Sequence, residues 1–387
     1  MIVLALSLLT TASFVYWVVA WWCTRSFWRE PVPASDFTPP VSILKPVHGI
    51  DTGAYQNFAS FADQDYPVFE VLIGLLDAED PVHGIIERVQ YDFEHVPIRI
   101  IHAEPIGTNN KVSILASLAE EARHDILLIS DSDMRVTPDY LRQVVAPLED
   151  RSVGLVTCLY RAEDLRTLTA RLEALYLATT YMPSVLVGHR YLKLSFALGA
   201  TMVLRREDLA RIGGFPAIAD YLADDYQLGK RVGDLGKQVR FAKYMPRDIL
   251  GATTFREQWD REVRWAKCAR VSRPLEYPWY FISFNTPLAS LTALAMGLTE
   301  KGWLLITASV LFRWLVGWSV TGYSGDRVAR RWLFLLPLRD FLTALVWVAA
   351  LAGRHVVWGG RKFWLTRDGA LRPVVDEVLP GRTLSSN

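Results

Sequence analysis

The sequence predicts an α/β domain built on a mostly parallel sheet, with one N-terminal transmembrane helix before it and two to three membrane segments after it. Three observations carry this expectation. Met1 to Thr24 holds no charged side chain, the middle of the chain alternates short β-branched runs with helical stretches, and the last third is apolar again. Alternation of buried strands with helices is the pattern of an α/β sheet.

The N-terminal run ends in Arg25, Arg29 and Glu30. As a helix, 24 residues would reach roughly 36 Å, enough for a hydrocarbon core of about 30 Å. It lacks the basic start of a cleaved signal peptide, and Tyr16, Trp17, Trp21 and Trp22 suit a membrane interface, so residues 1–24 are expected to be an uncleaved anchor. A Pro-rich linker follows over 25–40. The strand-like runs VSIL, FEVLIGLL, PIRIIHA, DILLIS and VGLVTCLY then mark a domain over 41–274. In such sheets ligands bind at the carboxyl ends of the strands.

Residues 277–353 are expected to form membrane segments. Tyr277 to Thr299 carries no charge, Gly302 to Val320 only Arg313, and Trp332 to Gly353 only Arg339 and Asp340. The first two read as a hairpin turning at Glu300 and Lys301. The third reads as re-entrant or interfacial, because an adjacent Arg and Asp are costly in lipid unless they face protein or water. The basic loop DRVARR would then share the cytosolic side with the polar domain, as the positive-inside tendency favours, and a basic then polar tail over 354–387 would follow. The expected location is a bacterial inner membrane.

Hydrophobic residues make up 51% of the chain, with 14 Trp and 15 Tyr, yet 21% is charged, which suits a polar domain joined to apolar segments. The net charge of +1 leaves no electrostatic footprint for nucleic acid. Cys23, Cys158 and Cys268 are scattered and support neither a disulfide framework nor a zinc site. No dinucleotide fingerprint, P-loop, HExxH or GxSxG motif occurs.

The element richest in chemistry is ILLISDSDM, whose apolar strand delivers Asp131 and Asp133 to its carboxyl end. Alternate residues of an extended chain point the same way, so the two carboxylates can share one Mg or Mn ion, which takes oxygen ligands and keeps phosphate oxygens among them. The same pattern alone also occurs as a solvated turn. FEVLIGLL ends near Asp77, a carboxylate able to accept from the N3–H of uracil or simply to sit in a loop, and VSILKP ends at Lys45 and Pro46, whose backbone can edge the base. Lys111, near a helix start in GTNNKVSIL, places a cation and free N–H groups where phosphate can bind.

Asp224 and Asp225 precede a helical run, where acidic residues favour the helix dipole; Asp225, beside Tyr226, is also the candidate general base for an acceptor hydroxyl. In REQWDREVRWAKCAR, Arg261, Arg264 and Trp265 share a helix face, suited to closing over a diphosphate or to anchoring at an interface.

LLDAED, ISDSDM, LADDY and REVRW, in that order, resemble the D, DxD, D, (Q/R)xxRW signature of processive-type family 2 glycosyltransferases and their family 21 ceramide glucosyltransferase relatives. VSILKPVHGID, ASFADQDYPVFEVLIGLLD and LPLRDF are similar to ceramide glucosyltransferases in particular. The likeness spans Val41 to about Trp364. It implies a glycosyltransferase-A type nucleotide-sugar domain that moves a sugar from a UDP-sugar to a lipid hydroxyl with inversion. In this frame Asp77 would sit on uracil, Asp131 and Asp133 on metal and diphosphate, and Asp225 would be the base, with Arg261, Arg264 and Trp265 as the last motif.

Ceramide glucosyltransferases often shorten the DxD, which is whole here, and usually carry Glu where this chain has Asp224. VGLVTCLYR, SFALGATMVLRRE and IGGFPAIADYLADDY are similar to hopanoid-biosynthesis glycosyltransferases, which implies a second acceptor class, a polyhydroxylated hopanoid served by UDP-N-acetylglucosamine. A processive polysaccharide synthase shares the four motifs but needs more membrane segments to line a polymer tunnel.

Overall fold

The computed structural model describes residues 1–192, 195–358 and 361–374. Every β-branched run of the middle region becomes a strand: β1 (Val41–Pro46), β2 (Phe69–Leu75), β3 (Ile98–His102), β4 (Ile126–Ile129) and β5 (Val153–Cys158). With β6 (Met202–Arg205) and β7 (Gln238–Ala242) they make one sheet in the order β3-β2-β1-β4-β6-β5-β7. All pairings are parallel except those of β6, whose Met202 lies opposite Ile129 on one side and Thr157 on the other, so the sheet is mixed.

Both faces of this sheet are covered, which is why its strands read as continuous apolar runs. Successive residues enter opposite layers. Ile43, Val71, Ile73 and Leu128 pack with Phe58, Ile86 and Val144 on one face, while Leu44, Leu72 and Leu127 pack with Leu115, Leu118 and Leu228 on the other.

The chain folds as two compact units. The sheet unit comprises Val32–Tyr160, Ser195–Ile249 and Arg354–Asn387; the apolar unit comprises Met1–Pro31, Arg161–Leu194 and Leu250–Gly353. Within the sheet unit, the segment read as a tail contains a three-stranded antiparallel sheet, His355–Trp358, Arg361–Leu365 and Leu371–Pro373. Ala370 bridges to Tyr221, and Leu371 N–H donates to the Asp220 carbonyl at 2.7 Å. The polar end of that tail, 375–387, lies outside the described residues.

In the apolar unit three helices are long and apolar enough to cross a membrane: Ile2–Arg29, Glu300–Tyr323 and Leu333–Leu351. The stretch Tyr277 to Thr299 differs from the expected single arm. It forms a 3₁₀ helix, Tyr277–Ser283, and then a separate helix, Asn285–Ala295. Eleven α-helical residues span only about 16 Å, so this helix alone falls short of the bilayer core.

Side-chain contacts fix the packing. Thr10 meets Thr292 at 2.8 Å and Trp17 Nε1 donates to the Ser283 carbonyl at 2.8 Å, so Ile2–Arg29 runs antiparallel to Asn285–Ala295. Its Phe14 stacks near Phe312 and Trp21 donates to Ser319, so it runs parallel to Glu300–Tyr323.

The charges within these helices all face protein. Arg313 forms two hydrogen bonds to Asp340, at 3.1 and 2.8 Å, and Thr286 donates to the same carboxylate. Arg339 pairs in the same two-pronged way with Glu262, at 2.8 and 2.6 Å. The Arg339–Asp340 dipeptide that looked costly in lipid is thus met residue by residue within the protein.

Candidate active site

The site grows from the carboxyl ends of β1, β4 and the helix Asn110–Glu121. At the end of β1, Lys45 is fully buried; its ammonium lies 3.8 Å from the centre of the Phe61 ring and donates to the Asp131 carbonyl. Burial pulls its pKa down to about 7, against the opposing pull of Asp133, Asp131 and Asp51. After β4, Ser130 donates to the Ala200 carbonyl at 3.0 Å, and Ser132 donates to Asp51 at 2.5 Å. The main chain beyond Asp133 is held by antiparallel pairing of Met134 and Arg135 with Asp248 and Arg247. The loop bearing the D-x-D pair is therefore tied down on both sides.

Asn109 caps the helix Asn110–Glu121 by accepting from the N–H of Val112, and this places Lys111 in the first turn. Its ammonium sits 2.6 Å from Asp131 Oδ1 and 3.4 Å from Asp224 Oδ2. Those carboxylates outweigh its desolvation and raise its pKa.

The second half of the cluster comes from the helix Asp224–Asp234. Asp225 accepts from the N–H of Tyr226 at 2.6 Å and from the N–H of Gly199 at 3.1 Å. Burial first, and then the neighbouring Asp224, push its carboxyl up to about 7; Lys111 opposes them. Burial raises Asp224 as well, with Lys111 pulling the other way. A carboxyl held near neutrality beside a cation is the condition a general base requires.

The loop before this helix is pinned from two sides. Asp220 accepts from the Thr108 N–H and hydroxyl, each at 2.8 Å, and Asn109 Nδ2 donates to the Tyr221 carbonyl at 2.7 Å. The C-terminal sheet holds the opposite edge through Leu371.

Asp77 stands just beyond β2, exposed, with one carboxylate oxygen accepting from the N–H of Glu79 at 2.9 Å. Pro46 lies opposite Gly74, so the ends of β1 and β2 are neighbours. Buried Asp80 joins their loops by accepting from Gly49 and Val82 N–H groups.

Arg261, Arg264 and Trp265 belong to the other compact unit, on the helix Phe255–Ser272, whose start carries a complete capping box of Thr254 and Glu257. The two arginines differ. Arg261 grips buried Glu173 through two bonds, at 2.9 and 2.6 Å, whereas Arg264 has no hydrogen-bonded partner among the described residues. Trp265 lies under the Arg261 guanidinium, 6.0 Å away. Asp51 and Gly199 escaped notice in the sequence. Both sit in turns whose partners come from distant segments, and only the glycine within ALGAT hints at the second.

The chemistry of this donor set suits a hard divalent ion. Mg and Mn need only one or two carboxylates when phosphate oxygens and water complete the shell, and Asp131 Oδ2 borders the unfilled space over Gly199, where an added methyl would lie 3.1 Å from it. Among the described residues no three acidic, His or Cys groups are gathered to hold an ion by themselves.

Residues 5–371 match glycosyl transferase family 21. The chain belongs to that family. As a member of family 21 it is 24% identical over 353 residues to ceramide glucosyltransferase 1 of Caenorhabditis elegans, covering 89% of this chain and 74% of the worm protein. The ceramide glucosyltransferase of Komagataella phaffii is 22% identical, with 88% of this chain and 85% of the yeast protein covered. A probable glycosyltransferase of Bacillus subtilis, YdaM, is 24% identical over 62% of this chain and 57% of its own length. Among solved structures, the mannosyltransferase PcManGT from Pyrobaculum calidifontis, in complex with GDP-Man and Mn2+, superposes with a TM-score of 0.57 at 18% identity, covering 91% of this chain and 98% of that one. That likeness concerns the fold, a mixed sheet of the glycosyltransferase-A type.

Proposed function

We propose that this family 21 glycosyltransferase moves a sugar from a UDP-sugar to the hydroxyl of a membrane lipid, with inversion at the anomeric carbon. The observation that carries the reading is the gathering of Lys45, Lys111, Asp131, Asp224 and Asp225 at the strand ends. In the reaction Asp225 takes the proton from the acceptor hydroxyl as that oxygen bonds to the anomeric carbon. The bond from that carbon to the diphosphate breaks, and UDP leaves with the electron pair.

Lys111, drawn now to Asp131 and Asp224, is the cation that turns to the diphosphate once donor is present. Lys45 fixes the backbone at Asp131 from beneath, and Asp77 accepts from the uracil N3–H beside Pro46. A Mg or Mn ion held by Asp131 and Asp133 would supply charge neutralisation on the departing diphosphate. Arg264 is the better phosphate partner of the last motif, and Trp265 shapes the acceptor entrance; Arg261 serves chiefly to hold its helix through Glu173. The sheet unit works on the cytosolic side of the membrane.

The acceptor is ceramide by kinship to the two ceramide glucosyltransferases named above, with glucose as the sugar. The test is incubation of purified protein with labelled UDP-glucose and UDP-N-acetylglucosamine, each against ceramide and bacteriohopanetetrol, scored by mass spectrometry. Glucosylated ceramide supports the reading, N-acetylglucosaminyl bacteriohopanetetrol redirects it to the hopanoid class, and a polymer on either lipid would overturn single transfer.

A further inference from the structure

Gly199 lies in the tight turn that enters β6, and its backbone has no need of glycine. Its φ is not positive, unlike that of Gly213 or Gly214 nearby in sequence. The turn is fixed by Thr157, whose hydroxyl accepts from the Leu198 N–H at 2.9 Å and donates to the Thr201 carbonyl at 2.8 Å. So rigid a turn holds its N–H in a set direction, toward Asp225 Oδ2.

The surroundings of the missing side chain are unusual. A methyl added at Gly199 would lie 3.1 Å from Asp131 Oδ2, 3.2 Å from Lys111 Nζ and 3.8 Å from Asp225 Oδ2. At Gly229 and Gly233 an added methyl would instead meet the main chain of Phe196 and the side chain of Ser195, an ordinary packing constraint. Only the tips of a carboxylate, an ammonium and the proposed base border the space at Gly199. Those three groups are the ones assigned above to the diphosphate and to the acceptor proton, and the sugar carbon that changes partners must pass between them.

We propose that Gly199 is a positioning and specificity-determining residue: its N–H orients Asp225, and its lack of a side chain leaves room for the transferring sugar at the junction of Asp131, Lys111 and Asp225. The inference rests on the donor and base roles proposed above. It separates two parts of the donor, because the nucleotide binds at the ends of β1 and β2, whereas the sugar fills the space over the turn. Gly199→Ala adds one methyl in an accessible backbone conformation, so the fold survives while the sugar is crowded.

The experiment compares wild type with Gly199→Ala, in detergent with Mn present, for binding of UDP and of the intact sugar nucleotides UDP-glucose and UDP-N-acetylglucosamine by calorimetry, alongside thermal unfolding. UDP affinity is expected to stay within about twofold while affinity for the sugar nucleotide falls about tenfold or more, the scale on which one methyl group discriminates in a close-fitting pocket. Gly199→Ser should fall at least as far.

Equal weakening of UDP and UDP-sugar would overturn the inference, since a merely structural role gives that result. Unchanged affinity for both would overturn it too. The donor assignment is judged on the binding shown by the wild-type protein; the role of Gly199 is judged on the ratio of variant to wild type. The two can therefore fail separately.

Discussion

The two compact units treat buried charge in opposite ways. In the apolar unit each cation has its own carboxylate, held by two hydrogen bonds: Arg261 with Glu173, Arg339 with Glu262, Arg313 with Asp340. In the sheet unit Lys45 and Lys111 answer to Asp51, Asp131, Asp133, Asp224 and Asp225 between them. Matched pairs are complete and gain nothing from a ligand. The lysine cluster is short of positive charge, and a divalent ion is what would balance it. The contrast separates charges that hold helices together from charges that await a substrate.

Removal of divalent ions should do the greatest harm to the cluster. EDTA is expected to reduce sugar transfer to background and added Mn or Mg to restore it, measured as product per minute; full activity in EDTA would return Asp131 and Asp133 to the status of a solvated turn. Next comes Asp225→Asn, which keeps the shape and loses the base. Turnover should drop by about 10² to 10⁴ with UDP-sugar affinity nearly intact, and near-normal turnover would remove Asp225 from the mechanism.

The paired charges should respond in stability instead. Arg339→Met leaves buried Glu262 without its partner and should cost about 3–5 kcal/mol, read as a lower melting temperature in detergent. The double change Glu262→Met with Arg339→Met should recover most of it; a double variant as unstable as the single would mean that the pair supplies net stability.

The smallest effect is in pH. Burial and Asp224 raise the Asp225 carboxyl to about 7, so the base form is lost as pH falls. Turnover should decline about tenfold per unit below that point and level off above it. A profile flat from pH 5 to 8 would separate Asp225 from the rate.

The sequence made legible what neighbouring residues decide. The D-x-D pair could be placed at the end of β4 because four apolar residues and the two-residue period of a strand are local facts. β6 could not be read, since MVLR owes its place to β4 and β5 on either side. Lys45 was identifiable as a strand-end cation, but its burial against Phe61 depends on the helix Ala54–Ala62. The bond from Arg261 to Glu173 spans 88 residues, and no spacing rule reports it. Tyr277 to Ala295 looked like one apolar arm because hydropathy does not register the break at Phe284, whose non-helical backbone separates the 3₁₀ turn from the helix.

The small C-terminal sheet sets an order of events during synthesis. The loop that leads into Asp224 and Asp225 is closed on one edge by Gly369, Ala370 and Leu371. Those residues leave the ribosome about 150 residues after their partners, roughly 8–30 s later at about 5–20 residues per second. By then every apolar helix has been made. A chain that stalls while its last helices enter the membrane therefore lacks the strand that secures its base, and catalytic competence waits on completed insertion.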